Sequence, residues 1–239
     1  MKYVSLPLLL SLLLFVGRLP AQTPQPTTLS PSQQNLVVIA ALTAKGDLEQ
    51  LPAALENGLA AGMTVNEIKE VLVHLYAYCG FPRSLQGLLT FMDVLEQRKA
   101  RGITDDMGRD ATPITSHAPK YERGKYVLEA LTGQPQDGPK KGYAVFSPEI
   151  DVFLKEHLFA DLFERDVLRY EERELATIAA LTSLGGVDPM LQGHLGIGLH
   201  LGLTQRQLQH LFSLLETHVG PDEAARGRAV LAQVVATRE

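Results

Sequence analysis

TVNEIKEVLVHLYAYCGFPRSLQGLLTF, residues 64–91, decides the fold. Thr64 followed three residues later by Glu67 is the capping-box spacing that starts a helix. Ile68, Val71, Leu72 and Leu75 then recur at the interval that gives one buried helical face. Gly80 and Pro82 interrupt the pattern, and a second apolar-periodic helix follows through Leu85, Leu88, Leu89, Met92 and Leu95. The chain's single cysteine, Cys79, stands at that junction. Glu67, Glu70 and His74 lie just upstream of it.

Working outward, Ser30, Pro31 and Gln33 supply an N-cap, a first-turn proline and a capping-box partner for a helix that carries LVVIAALTAKG and stops at Gly46. A second helix is expected near Leu51–Ala61, with Gly62 after it, so the first unit has four helices and ends near Arg101. Residues 102–119 have the composition of a linker. Tyr121–Leu131 reads as a helix closed by Gly133, and a helical pattern spans Pro148–Arg169.

The opening pattern then returns. ELATIAALTSLGG (174–186) matches NLVVIAALTAKGD (35–47) without a gap, and Gly202, Thr204, Gln207 and Gly220 repeat Gly62, Thr64, Glu67 and Gly80. No stretch alternates with period two. The reading is an all-α tandem duplication of a four-helix unit, with repeats in residues 22–112 and 113–239, the second preceded by a helical extension.

The phrase NEIKEVLVHLYAYCGFP, after GLAAGMT, resembles the carboxymuconolactone decarboxylase family, part of a superfamily with alkylhydroperoxidase D. YERGKYVLEALTG and the run FLKEHLFADLFERDVLRYEERELATIAAL resemble the same family's N-terminal extension. The resemblance implies cofactor-free acid–base chemistry on a small carboxylated or lactone-like molecule. It also implies, as an alternative, hydroperoxide reduction at Cys79, where Cys79 matches the first cysteine of a redox pair and Glu67 a relay glutamate. The second cysteine falls on Pro82 and the family histidine on Gln86, so a sulfenic acid on Cys79 would need an external reductant. A third possibility is a non-catalytic binding or assembly module.

Several residues are candidates for this chemistry, each with a plainer role beside it. Cys79 is a nucleophile or a small apolar filler. Glu67 is a relay acid or only the N3 residue of its cap; it precedes Cys79 by 12 residues, about 18 Å along an unbroken helix. His74 forms an i, i+4 pair with Glu70, which is either a proton donor with a raised pKa or an exposed ion pair. His194 occupies a position where the family carries a histidine and repeat one has Ala54. Conversely Cys79 has Val219 as its counterpart, so a composite site would need the two halves packed together. Arg83 and Arg173 are the cations offered to a substrate carboxylate.

Other classes fit poorly. A formal charge of −5 and the lack of tryptophan argue against a nucleic-acid surface. There is no HExxH metal motif, phosphate loop, GxSxG elbow or dinucleotide fingerprint, so no metal or cofactor is expected. Residues 1–21, with Lys2, the apolar run Val4–Val16 and the small-residue end Leu19-Pro20-Ala21, read as a secretory signal. The run falls short of the roughly 18 residues of a spanning helix. The expected product is periplasmic or secreted, with no membrane association after cleavage. Because single-copy members of the resembling family form rings, a homo-oligomer is expected, a trimer of two-repeat chains.

Overall fold

The structure, a computed structural model, describes residues 28–238. The expected signal segment and most of the leader lie outside them. The described residues contain helices and no strand. Helices α1 (Pro31–Lys45), α2 (Leu51–Ala60), α3 (Val65–His74) and α4 (Tyr76–Ala100) form the first unit. Helices α8 (Tyr170–Leu184), α9 (Asp188–His200), α10 (Gln205–His218) and α11 (Pro221–Ala236) form the second. Between them come α5 (Lys120–Thr132), α6 (Tyr143–Phe146), α7 (Pro148–Phe153) and a π-helical segment, Leu154–Phe163. None of these helices is long and apolar enough to cross a membrane.

The duplication is visible in what touches what. In each unit the first helix packs on the second, third and fourth, the third on the fourth, and the second on the fourth. The two first helices, α1 and α8, pack against each other at the centre. Their sequences require it: every residue from Leu36 to Ala44, and from Arg173 to Ser183, is buried, so neither has a face for water. One continuous core joins both units, from Leu36 and Ile39 to Leu208 and Leu231.

The capping boxes form as the sequence predicts. Ser30 and Gln33, Thr64 and Glu67, and Thr204 and Gln207 each close both of their hydrogen bonds. The interruption after α3 is also present. The backbone swings at Gly80 (φ 81°, ψ 158°), a conformation closed to residues with a side chain, and Pro82 follows without an N–H to offer. The hydroxyl of Ser84 donates to the Leu72 carbonyl (2.7 Å), satisfying the end of α3 across the bend.

Two expectations change. The linker is stitched to the surface: the Val65 and Asn66 amides, orphan donors of the first turn of α3, donate to Asp106 (2.9 Å) and Met107 (3.0 Å). The helix expected over Pro148–Arg169 is α-helical only to Phe153, turns π-helical, and stops at Phe163. Here α5 lies directly on it, burying Val127 and Leu131 against Leu158, Phe159, Leu162 and Phe163. The approach depends on Gly124, because a Cβ there would stand 1.8 Å from the Lys155 carbonyl oxygen.

Candidate active site

Where the end of α3 and the start of α4 meet α8 and α9, the chain buries an unusual density of polar side chains. His74, Arg173, Glu174 and Thr177 are inaccessible to solvent, and Glu70 is buried beside them. Burying charge is unfavourable unless it is paired, so the pairing defines the site.

One end is an ion cluster. The Arg165 guanidinium holds Glu70 with Nε to Oε1 (2.9 Å) and Nη2 to Oε2 (2.8 Å). Arg173 adds Nη2 to Oε1 (2.7 Å) and donates to the Arg165 carbonyl (2.6 Å). Burial alone would raise the Glu70 pKa, but the two guanidinium groups outweigh it and hold the carboxyl below its ordinary range. Arg173 Nη1 faces His74 Nδ1 at 3.3 Å. A guanidinium can only donate, so Nδ1 is the acceptor, and Nε2 carries the proton it gives to Thr177 Oγ1 (2.9 Å). Burial, with the charge of Arg173 next, pushes the His74 pKa well below 6.5.

The other end is a carboxylate–imidazole dyad. His194 Nδ1 meets Glu174 Oε2 at 2.8 Å; the carboxylate is sealed from water, while 15% of the His194 side chain is exposed. No protein group among the described residues bonds His194 Nε2. The Tyr78 ring links the two ends, lying 5.1 Å from the His74 ring and edge-on to His194 at 5.4 Å. Burial and the Glu174 carboxylate push the Tyr78 hydroxyl pKa upward. Three buried polar atoms, the Tyr78 hydroxyl, Glu174 Oε1 and Arg173 Nε, have no hydrogen-bond partner. Each such atom costs about 1–3 kcal/mol unless a water or a ligand satisfies it.

The sequence candidates divide accordingly. His74 and His194 come together from different units, as a composite site requires. Glu70 and His74 do not pair with each other: both are buried, Glu70 is held by arginines, and the His74 pKa falls where a raised one was expected. Arg173 is not placed to hold a substrate, being fully buried and bonded to Glu70. Glu67 accepts from the Thr64 amide (2.8 Å) and faces a small cleft with Leu168 and Glu172, away from His194. Cys79 is half-buried and its Sγ donates to the Leu75 carbonyl (3.1 Å). Burial raises its thiol to about 11 against the opposing charge of Arg83. Arg83 itself is exposed, its guanidinium lying over the Gly46 turn at the end of α1.

Glu174, Tyr78, Thr177 and Arg165 were not singled out by sequence reasoning. Glu174 carried a signal: it is a carboxylate inside a helix that has no polar face. Tyr78 lies one turn beyond His74 on the same face.

Among the described residues, no group of three or more His, Cys, Asp or Glu side chains could hold a metal ion. The sequence model of the carboxymuconolactone decarboxylase family matches residues 18–91 and again residues 148–233. No curated protein matches the chain significantly.

Proposed function

The chain belongs to the carboxymuconolactone decarboxylase family, and from that premise we propose that it is a cofactor-free acid–base enzyme acting on a small carboxylated or lactone-like molecule. The observation that carries the reading is the contact between Glu174 and His194, with Nε2 left unbonded at the partly exposed edge. Glu174 fixes the ring orientation and directs the only reactive nitrogen outward.

In this reading the substrate's carbon–carboxylate bond breaks and CO2 leaves. The electron pair passes into a conjugated carbonyl, and the resulting enolate takes a proton from His194 Nε2 onto carbon. The ring regains that proton from solvent. Tyr78 packs the imidazole from the side, and burial, with the charge of Arg173 next, keeps His74 neutral behind it. Arg83, exposed and near enough to bias Cys79, is the cation assigned to the substrate carboxylate. Hydroperoxide reduction at Cys79 has less support, since a thiol near 11 carries little thiolate at neutral pH and the chain has no second cysteine.

The same reading includes export through the N-terminal segment and assembly into a homotrimer. Phe81, Leu85, Leu89 and Met92, exposed along α4, support an oligomer. Light scattering that returns one chain mass at micromolar concentration would contradict it.

The catalytic test is turnover of carboxymuconolactone, followed as CO2 release. The wild type accelerates it, and His194→Gln loses roughly 10²–10⁴-fold in kcat. An inert wild type, or a fully active His194→Gln, removes the reading.

A further inference from the structure

A second site, with neither His74 nor His194 in its lining, lies in the segment that joins the two units. A cleft of about 480 Å³ opens between α5, the loop after it and the α7–π-helix junction. That volume falls within the roughly 300–1,000 Å³ typical of small-molecule sites. Its walls carry four lysines, Lys125, Lys140, Lys141 and Lys155, against two aspartates, Asp137 and Asp151.

The carboxylates are already engaged. Asp151 accepts from the Tyr121 hydroxyl (2.7 Å) and pairs with Lys140 (2.8 Å) and Lys155 (2.5 Å). Asp137 pairs with Lys125 (2.5 Å). Lys141 makes no ion pair among the described residues. Lys125 also pairs with Glu122 (3.3 Å), so with one charge counted for each group the lining and that partner keep a surplus of one positive charge, in a chain whose formal charge is −5. Lys155 is largely buried, stands 5.1 Å over the Tyr121 ring and shares Asp151 with Lys140, so one carboxylate offsets only one of two lysine charges where water screens weakly. Leu128, Leu154 and Phe159 supply an apolar floor.

We propose that this cleft binds a small amphipathic carboxylate, its anionic head among the lysines and a short apolar body on the floor. A concave surface with a few convergent cations and an apolar base selects that combination over a bare anion or a neutral hydrocarbon. Nothing in the proposal draws on His194 or its dyad, so the two sites can fail separately.

Isothermal titration of the whole protein with octanoate tests it, with inorganic phosphate and octylamine as comparisons. Saturable octanoate binding that weakens with added salt is expected, with phosphate and octylamine at least tenfold weaker. Lys140 and Lys141 are exposed, and the double variant Lys140→Gln/Lys141→Gln removes both charges without setting a carboxylate against the buried Asp151; circular dichroism verifies its fold. It should lose at least tenfold in octanoate affinity, and Lys141→Ala alone should lose about threefold. His194→Gln should bind octanoate as the wild type does. No saturable binding at millimolar octanoate, equal affinity in the lysine variants, phosphate binding as tightly as octanoate, or loss in His194→Gln would each overturn the proposal.

Discussion

The two four-helix units share their helix order and capping boxes but differ in the polar residues that meet between them. In the second, α8 carries Glu174 and α9 presents His194; the matching positions in the first are Asn35 and Ala54. In the first unit, the end of α3 and the start of α4 carry Glu70, His74 and Tyr78; the second has His210, Leu214 and His218 there. Each unit therefore lacks what the other has, and the missing parts meet because α8 packs on α3 and α4. Duplication has left one composite cluster per chain in place of two equal ones. The capping boxes teach the converse. Gln207 makes the same bond to the Thr204 amide (2.9 Å) that Glu67 makes to Thr64, so a carboxylate charge is not needed at that position.

Breaking the charge cluster on one side only should give the largest effect. Glu70→Leu leaves Arg173 buried without a carboxylate and should cost about 3–5 kcal/mol in urea unfolding. The matching change, His210→Leu, removes a single bond from the Leu29 amide (3.2 Å) and should cost about 1 kcal/mol. Equal losses would show that the halves are not differentiated.

A smaller effect separates them by pH. The His74 pKa is depressed below 6.5, so the unfolded chain takes up a proton that the folded chain refuses. Stability is full above pH 6.5 and declines as pH falls below it. Glu70, depressed below 4.5, adds to the decline only under 4.5, where the unfolded carboxyl protonates first. Between pH 7.5 and 5.5 unfolding free energy should fall by about 1 kcal/mol. His74→Gln should remove most of that fall, whereas His200→Gln, at an exposed position, should leave it in place.

The smallest effect is expected at Cys79. Replacing it with valine, the residue of the other unit, should change stability by under about 1 kcal/mol and leave CO2 release unaltered. Alkylation of the wild-type thiol at neutral pH should run about a hundredfold slower than for a thiol at 9.0, since the shift to about 11 removes that much thiolate.

The architecture was legible because periodicity and caps are local. Thr64, Glu67, Gly80 and the ungapped match of 35–47 to 174–186 place the helices and the repeat without any tertiary information. The family's name was legible too, and its model spans both units. The site was legible only in part. His74 and His194 stand out as residue types, but their neighbours are set by contacts across about a hundred positions, such as Arg173 to His74. Glu70 and His74 look paired at i, i+4, yet burial draws the carboxylate to stronger guanidinium partners. Glu174 is passed over because it follows the first-turn glutamates Glu171 and Glu172 and its partner, His194, lies on another helix. The π-helical turn was illegible for another reason: its apolar residues fit an α-helical period as well, and it lies where α5 packs on Leu154–Phe163.

The central claim is that the two units share one site, and a double-mutant cycle in kcat for CO2 release tests it most directly. Tyr78→Leu belongs to the first unit, His194→Gln to the second, and the two native rings lie 5.4 Å apart. The shared site predicts that Tyr78→Leu, harmful by itself because it removes the ring packed on His194, adds almost nothing once His194→Gln is present. Effects that simply multiply, leaving the double variant as slow as the product of the two losses, would contradict it.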